Sequence, residues 1–529
     1  MAVVYVDPTK AANGAGTFTD PRNIPPTSVA YGDKVLFKEG TVYPGGWTLP
    51  TPTGVGSDGN RLTIGTYFAG DGSQAISWNY SATVQGTGSA DAVLASGVSY
   101  VYVVGLKLTG GRNFPNAGFR GLSGSYWTVR HCEISGNNYG VRYDNVSGAS
   151  RTSWKVVDCR ILSTTGNAGI ITVWSATVNE YVTDVVLQGN YIAGTTENAA
   201  NSGGQGIFVV ARANPCYTNA AALKGKGFKI TDNTIVAPPN KAISIYGVEA
   251  NGASLNYVSR NSISDVGDRR TDVHCIWMAG CEDFFVEDNI INGSYAWEGQ
   301  SVGTGVGIFV DVVNISGVNS DSCNRMTVRR NVVRNTGQGA TLNTEVGGGG
   351  IMVLQSTNVV VESNVMYNCQ NGVVVLGYYG TGIQANNVDV RNNAVVNSRR
   401  SGYYVAKVAN NVSVRNNIAH GGERGFYIEN SGAGAVTNYS ETNNLAYGAS
   451  ILNWAGGNEP TVGSPTITSR SPSGTNLTQD PLFEELSDPW FGLKSTSPCK
   501  GAGVAVAGAA DRFGNRFQPK PNIGPWAHI

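Results

Sequence analysis

The central part of the chain repeats a short phrase in which one pivot residue lies between apolar residues. One copy is Val129-Arg-His-Cys132-Glu-Ile134, and a later one is Val286-Glu-Asp-Asn289-Ile-Ile291. The pivots are Cys132, Cys159, Asn190, Asn233, Asn261, Asn289, Asn331, Asn364, Asn393 and Asn417. A recurring phrase of this kind indicates stacked repeats, and it restricts the fold before any single residue indicates a function.

A second phrase lies between the pivots, namely a glycine followed by alternating apolar residues. Examples are Gly206-Ile-Phe-Val-Val210 and Gly350-Ile-Met-Val-Leu354. Each repeat therefore contains short strands and tight turns, and no segment shows a helical period with caps. Stacked units of this type predict an all-β fold, a right-handed parallel β-helix of about a dozen rungs. The pivot Asn side chains are expected to hydrogen-bond from rung to rung and to satisfy backbone groups in the turns.

Composition supports a solenoid rich in turns, because Gly makes up 70 of 529 residues and charged residues only 14%. The repeat predicts three regions. Residues 1–93 form an N-terminal cap with the first β-helix turns, and residues 94–447 form the main β-helix. Residues 448–529 break the repeat with Pro and Ser-Pro turns, which predicts a loop-rich C-terminal cap.

The charge balance and the apolar pattern limit the partners. Acidic and basic residues number 37 each, which argues against a nucleic-acid partner. No long apolar stretch occurs, so we expect no membrane insertion. The start of the sequence lacks the pattern of a signal peptide. We expect an extracellular location, reached on a virus tail or after removal of a signal.

The cysteines predict buried thiols rather than a disulfide framework. The eight cysteines are spread along the chain without a CxxC pair. Cys132 and Cys159 occupy equivalent pivots and are expected to stack inside the solenoid. Cys275 and Cys281 have only His274 nearby, which disfavours a zinc site.

Both ends of the chain carry phrases that resemble a known superfamily. They include Tyr5-Val-Asp7, Gly32-Asp-Lys-Val-Leu-Phe-Lys38, Asp480-Pro-Leu-Phe483 and Asp511-Arg-Phe-Gly514. These phrases resemble the pectate-lyase-like right-handed parallel β-helix superfamily, in particular phage tailspikes and bacterial polysaccharide depolymerases. The resemblance implies a polysaccharide substrate and, for tailspikes, a homotrimer that cuts bacterial surface polysaccharide. No catalytic motif of the superfamily is intact, so the resemblance assigns no catalytic residue.

Two gaps between pivots are longer than the others, and they indicate where a site could lie. The additional residues flank two glycine-initiated strands, as segments Ala193–Gln205 and Ala211–Lys226, and as Asn292–Val306 and Val312–Arg325. Long loops on a rigid scaffold are where functional sites concentrate. We therefore expect these loops to wall a groove over the intervening strands.

Strand alternation predicts an exposed aromatic stripe beneath these loops. Phe208, Tyr246, Trp277 and Phe309 fall on the outward face, and Arg212 follows the first of these strands. Because aromatic faces stack against sugar rings, these residues are the candidate substrate-binding residues. Two other interpretations stay open, namely a subunit interface and a face covered by the loops of the chain itself.

Asp311 is the carboxylate on this stripe and the first candidate for catalysis. Hydrolysis of a glycosidic bond uses two carboxylates, close together for retention and farther apart for inversion. Given ~4.8 Å between rungs, Asp272 or Glu345 could serve either geometry with Asp311, and Glu249 could serve inversion. Asp144 and Glu429 lie on the same face near the ends, where they are expected to be surface or interface residues.

The pattern leaves three functions open. Hydrolysis without a cofactor, in a depolymerase of phage tailspike type, is favoured. A lyase would instead neutralise a uronate with Arg, Lys or Ca²⁺ and remove a proton with a base. His274, Lys241, Arg212 and Tyr246 are the candidates for that chemistry. The third function is a non-catalytic, glycan-binding structural spike.

Overall fold

A computed structural model describes most of the chain. The described residues are 1–77, 79, 81–113, 115–145, 150–166, 168–174, 181–196, 204–211, 224–248, 255–267, 272–295, 304–315, 318–338, 348–377, 384–406, 408–429, 436–456, 476–486, 492–516 and 521–526. They form two compact units, Met1–Asn256 and Tyr257–Ile529, here called the N-terminal unit and the C-terminal unit.

The N-terminal unit consists of short strands. They are β1 (Val3–Val6), β2 (Lys34–Lys38), β3 (Val42–Pro44), β4 (Trp47–Thr48), β5 (Leu62–Tyr67), β6 (Gln74–Ala75), β7 (Ala82–Gln85), β8 (Val93–Ser96), β9 (Val101–Val104), β10 (Leu106–Thr109), β11 (Ala117–Leu122), β12 (Trp127–Arg130), β13 (Glu133–Ser135), β14 (Tyr139–Asn145), β15 (Arg151–Val157), β16 (Arg160–Leu162), β17 (Ala168–Trp174), β18 (Tyr181–Gln188), β19 (Tyr191–Ala193), β20 (Gln205–Ala211), β21 (Lys224–Lys226), β22 (Lys229–Thr231), β23 (Thr234–Val236) and β24 (Lys241–Tyr246).

The C-terminal unit continues in the same manner, with its first strand beginning at the last residue of the preceding unit. Its strands are β25 (Asn256–Ser259), β26 (Ser262–Val266), β27 (Asp272–Ala279), β28 (Phe284–Glu287), β29 (Ile290–Tyr295), β30 (Thr304–Ile315), β31 (Val318–Ser322), β32 (Asn324–Arg329), β33 (Val332–Gln338), β34 (Gly349–Leu354), β35 (Thr357–Glu362), β36 (Val365–Tyr367), β37 (Val373–Leu376), β38 (Asn386–Arg391), β39 (Ala394–Val396), β40 (Ser401–Ala406), β41 (Asn410–Arg415), β42 (Ile418–His420), β43 (Arg424–Glu429), β44 (Ser440–Thr442), β45 (Leu445–Tyr447) and β46 (Ile451–Gly456).

Most strands of each unit fall into three parallel sheets, which successive coils of the chain visit in turn. In the N-terminal unit, sheet 1 runs β1-β2-β5-β9-β12-β15-β18-β22, sheet 2 runs β3-β7-β10-β13-β16-β19-β23, and sheet 3 runs β4-β8-β11-β14-β17-β20-β24. In the C-terminal unit, sheet 1 runs β25-β28-β32-β35-β38-β41-β44, sheet 2 runs β26-β29-β33-β36-β39-β42-β45, and sheet 3 runs β27-β30-β34-β37-β40-β43-β46. Outside these runs, β21 pairs in parallel with β18, and β6 and β31 pair antiparallel with β5 and β30. This arrangement confirms the predicted all-β parallel β-helix.

Close packing explains why glycine recurs at the start of many sheet 3 strands. A Cβ on Gly372 would lie 2.4 Å from Val395 Cγ2, and a Cβ on Gly350 would lie 2.5 Å from Met366 Cγ. Val395 and Met366 are buried residues of sheet 2. At Gly350 and Gly372, glycine therefore lets the start of the sheet 3 strand lie against the core side chains of sheet 2.

The predicted Asn ladder is confirmed in both units. In the N-terminal unit, Asn190 Nδ2 donates to Asn233 Oδ1 at 3.0 Å and to the Val156 carbonyl at 2.9 Å. In the C-terminal unit, each side-chain amide donates to the Oδ1 of the next, at 2.9–3.1 Å, along Asn261, Asn289, Asn331, Asn364, Asn393, Asn417 and Asn444. Cys132 and Cys159 are buried free thiols, as predicted.

Residues near the C-terminus cover the outward face of sheet 2 in the C-terminal unit. On the later coils, the outward residue that begins each sheet 2 strand is apolar, and Ile418 and Leu445 belong to one buried cluster with Phe483, Leu493 and Trp526. In the N-terminal unit, the equivalent positions of sheet 2 carry charged residues instead. There, Glu133 pairs with Lys107 at 3.7 Å and with Arg160 at 3.4 Å. The outward side chains thus determine which part of sheet 2 is covered.

The repeat continues beyond the predicted start of the C-terminal cap. Strand β46 (Ile451–Gly456) pairs in parallel with β43, so it forms part of sheet 3. The boundary at residue 448 therefore falls too early. The sequence phrase ends there, but the pairing continues because strand pairing needs no pivot Asn.

The covering segment makes the stability of the protein depend on pH through His420. Its ring lies 5.5 Å from that of Phe483 and 5.7 Å from that of Tyr447. Burial lowers the pKa of His420, against the opposing charge of Asp480. The unfolded chain keeps the usual pKa near 6.5, so as the pH falls below that value it binds a proton before the folded chain does. The free energy of unfolding should therefore decrease between about pH 6.5 and the folded pKa.

Urea denaturation at several pH values between about 7.5 and 5 measures this effect. His420→Phe keeps a ring in the cluster and should make the pH dependence shallower in that window. An equally steep dependence in His420→Phe would assign the effect to other groups.

Candidate functional site

Sheet 3 of the C-terminal unit carries a tryptophan and a carboxylate on its outward face. Strands β27 and β30 align Trp277 with Phe309 and Ala279 with Asp311. The indole Nε1 of Trp277 donates to Asp311 Oδ2 at 2.9 Å, and the Val312 backbone N–H donates to Asp311 Oδ1 at 2.7 Å. Both oxygens of Asp311 thus act as acceptors, which suits a base or nucleophile. Trp277 and Asp311 are each partly exposed, so a ligand can reach them.

Phe309 does not belong to an exposed stripe. It is only 8% exposed and lies in a cluster with Met352, Val374, Tyr404 and Tyr427. The register places Met352 directly opposite Phe309, and Val374 opposite Met352. The prediction of an exposed Phe309 is wrong, because its neighbours on the following rungs are also apolar and pack with it as one column.

His274 is also buried rather than available to a ligand. It is 1% exposed, and its ring meets the Phe309 ring edge-to-face at 4.8 Å. The Trp277 ring lies farther away, at 6.4 Å. His274 therefore packs beneath the site, and the expectation that it serves as an accessible base is wrong.

The register separates Asp272 from Asp311. Asp272 lies opposite Thr304 at the start of β27, whereas Asp311 lies opposite Ala279 at the end of that strand. At about 3.3 Å per residue, the two Cα atoms are roughly 20 Å apart, well beyond the span of a glycosidase carboxylate pair. The expected pairing of Asp272 with Asp311 is therefore wrong.

Three further candidates lie outside the described residues. They are Glu249, Glu345 and Arg212, and they stay predictions.

The N-terminal unit holds the other two aromatic candidates. Phe208 is partly buried against a cluster that contains Tyr139 and Ile171. Tyr246 is partly buried and lies opposite Val210. Lys241, a candidate for lyase chemistry, is 6% exposed, and its Nζ donates to Asn240 Oδ1 at 3.4 Å. Of these three residues, only the two aromatic ones have substantial exposed surface.

A network of charged residues on sheet 3 of the N-terminal unit was not anticipated. Asp144 is 2% exposed and accepts from Arg142 Nε at 2.7 Å and from Arg120 Nε at 3.1 Å. Asp91 lies at the other side of Arg120, 4.0 Å from its Nη1. Burial raises the pKa of Asp91, although the Arg120 and Arg142 charges oppose this. The expectation that Asp144 is a surface or interface residue is wrong.

The signal for this network was present in the strand alternation. Arg120 and Arg142 are register partners, as are Leu122 and Asp144, so all four fall on the outward face. Neighbouring outward arginines beside an outward aspartate indicate an ion-pair network.

Comparison with known proteins supports the architecture. The family model for the right-handed β-helix region matches residues 316–481. The fold is a right-handed parallel β-helix. This agrees with the β-helix fold that the repeats predict. No curated protein matches the chain.

Several solved structures are similar to this β-helix at low identity. The GH136 lacto-N-biosidase from Eubacterium ramulus is 12% identical, with 86% of this chain and 68% of that chain covered and a TM-score of 0.38. Pectate lyase Pel9A is 14% identical, with 100% and 97% covered and a TM-score of 0.32. The Dettilon tailspike protein is 13% identical, with 82% and 68% covered and a TM-score of 0.39.

Within the described ranges, no three His, Cys, Asp or Glu side chains cluster in a way that could hold a metal ion. The same residues contain no helix long and apolar enough to cross a membrane.

Proposed function

We propose that the protein is a polysaccharide depolymerase of phage tailspike type that hydrolyses glycosidic bonds of bacterial surface polysaccharide, capsule or O-antigen. The observation that carries this proposal is the contact between Trp277 and Asp311 on the outward face of sheet 3. Cleavage of a glycosidic bond needs a carboxylate at the reacting carbon, and an aromatic face can support the sugar ring. Both are partly exposed here, on strands of a rigid sheet.

In this proposal, Asp311 acts as the ionised carboxylate of the pair. It either attacks the anomeric carbon or removes a proton from the attacking water. The Trp277 N–H and the Val312 N–H hold its two oxygens in place, so little rearrangement is needed during the reaction. A second carboxylic acid gives a proton to the leaving oxygen. Glu345 stays the sequence-based candidate for that acid.

Product analysis tests the reaction type. The protein is incubated with a panel of capsular and O-antigen polysaccharides, and the masses of the products are measured by mass spectrometry. Hydrolysis adds one water for each bond cleaved. Lyase products gain no water and absorb at the band of unsaturated uronates. Such products would show that the protein cleaves by elimination and not by hydrolysis. If the protein bound a polysaccharide but shortened none, the non-catalytic, glycan-binding spike would be the remaining function.

The proposal includes catalysis without a metal ion. We therefore expect an excess of EDTA to leave the rate of polysaccharide shortening unchanged. Loss of activity with EDTA and its recovery with Ca²⁺ would instead favour a lyase in which Ca²⁺ neutralises a uronate.

We further propose that the protein acts outside the cell as a homotrimer on a virus tail. Light scattering of the purified protein should give three times the mass of the 55.5 kDa chain. A monomer that still shortens polysaccharide would keep the proposed reaction but remove the proposed assembly.

A further inference from the structure

A polar cleft lies at one edge of sheet 2 in the N-terminal unit, away from the charged network on sheet 3. Three neighbouring strands end there, and their last residues Gln85, Thr109 and Ser135 lie opposite one another. A glycine follows each of them. The cleft has a volume of about 470 Å³ and is lined by Gln85, Gly86, Thr87, Gly88, Thr109, Gly110, Arg112, Ser135 and Gly136.

The sequence of each coil sets the length of this cleft. Gly110 and Gly136 have φ values of +96° and +66°, which glycine adopts without strain, and a Cβ on Gly110 would lie 2.2 Å from the Gly86 carbonyl oxygen. On one side, Pro44 lies opposite Gln85 and is outside the lining. On the other side, Leu162 lies opposite Ser135 and replaces the polar column with an apolar residue. The cleft therefore covers three rungs, roughly 10 Å.

The lining suits a hydroxylated ligand. Thr87, Thr109 and Ser135 contribute hydroxyl groups, and Gln85 contributes an amide. Gln85 and Thr87 are exposed, so the cleft opens to solvent. Neighbouring hydroxyl and amide groups can both donate to and accept from sugar hydroxyls, as in other polar ligand sites.

Arg112 gives the cleft a positive charge. It is exposed, and among the described residues it forms no ion pair. The nearby charges of sheet 2 pair with each other, since Glu133 binds Lys107 and Arg160. A guanidinium binds a carboxylate through two parallel hydrogen bonds, which a neutral sugar cannot provide.

We propose that this cleft binds an acidic sugar residue, with Arg112 holding the carboxylate of a uronate and the hydroxyl-bearing residues holding its ring. The proposal deepens the proposed function and rests on it for the nature of the ligand. The cleft would bind an acidic polysaccharide in addition to the residues around Asp311.

Ligand-observed NMR titration of the full chain tests this proposal with sodium glucuronate, glucose and inorganic phosphate. Glucuronate should bind, and glucose and phosphate should bind at least about tenfold more weakly, a difference of about 1.4 kcal/mol. Arg112→Ala should weaken glucuronate binding by a similar factor, whereas Arg112→Lys should recover part of it. Thr87→Trp should block the cleft. Arg399→Ala removes an exposed arginine elsewhere and should have no effect.

Three outcomes would overturn the proposal. The first is phosphate binding as strong as that of glucuronate, since the cleft would then be a simple anion site. The second is glucose binding as strong as that of glucuronate. The third is glucuronate binding that is absent, or that is unchanged in either Arg112→Ala or Thr87→Trp. Asp311→Asn should abolish cleavage but leave glucuronate binding intact. Binding without any cleavage by the wild type would therefore refute the depolymerase alone, and cleavage without binding would refute the cleft alone.

Discussion

Asp311→Asn should lower kcat for polysaccharide cleavage by at least about 10³-fold, with KM nearly unchanged. The substitution keeps the size of the side chain but removes the negative charge that a nucleophile or base needs. The amide can accept a hydrogen bond from only one of the two N–H groups that Asp311 now binds, so its orientation is also altered. Reducing-end release from a polysaccharide identified in the panel measures the effect.

Asp265→Asn is the matched control for this variant. Asp265 is exposed and has a φ of +57°, a conformation that Asn adopts readily. This variant undergoes the same chemical change in the same unit, and it should keep the wild-type rate. If Asp311→Asn retained more than about a tenth of the wild-type kcat, the catalytic role of Asp311 would be refuted.

Asp144→Ala should lower the free energy of unfolding by about 3 kcal/mol or more. Asp144 is buried, and its carboxylate is shared by Arg120 and Arg142. Removing it leaves two largely buried guanidinium groups without their main partner, and an uncompensated buried charge is costly. Urea denaturation followed by circular dichroism should show a lower midpoint. Arg142→Ala in the same chain should recover part of the loss.

The exposed pair of Arg61 with Asp58 provides the comparison. Its N–O distance is 2.6 Å, as short as those of the buried network, but the Asp58 side chain is 70% exposed. Asp58→Ala should therefore cost no more than about 1 kcal/mol. Equal losses in Asp58→Ala and Asp144→Ala would show that burial of the network contributes little to its strength.

The fold was predictable because it depends on residues that recur along the chain. The pivot Asn residues predict the ladder, and the bonds between Asn331 and Asn364 show that these side chains do meet. The glycine phrase likewise marks where sheet 3 meets sheet 2, as at Gly372. Each of these patterns spans only a few residues, and it occurs many times along the chain.

The site was less predictable because it depends on which outward faces are covered. Alternation places Phe309 on the outward face, but it does not show that Met352 and Tyr404 join it in a buried cluster. In the same way, the residues next to Ile418 in the sequence do not predict that it packs in one cluster with Trp526, far along the chain. Covering a face is a long-range property of the fold.

The repeat period also does not predict where along its strand a residue lies. The period places Asp272 and Asp311 on neighbouring rungs, but only the register shows that they lie near opposite ends of their paired strands. The register also identifies Arg120 and Arg142 as neighbours. The repeat period predicts the rung on which a residue lies. The distance between two side chains on neighbouring rungs also depends on their positions along the strands.

The Asn ladder of the C-terminal unit has a direction. From Asn261 to Asn417, every side-chain amide donates to the Oδ1 of the next Asn, so the dipoles of the column add. At the far end, the Asn444 backbone N–H donates to Asn476 Oδ1, and Asn476 Nδ2 donates to Glu441. The positive end of the column therefore meets a carboxylate, as the N-terminus of an α-helix meets an acidic residue. The Asn ladder of the C-terminal unit thus has a net dipole along the β-helix, and the negative charge of Glu441 lies at its positive end.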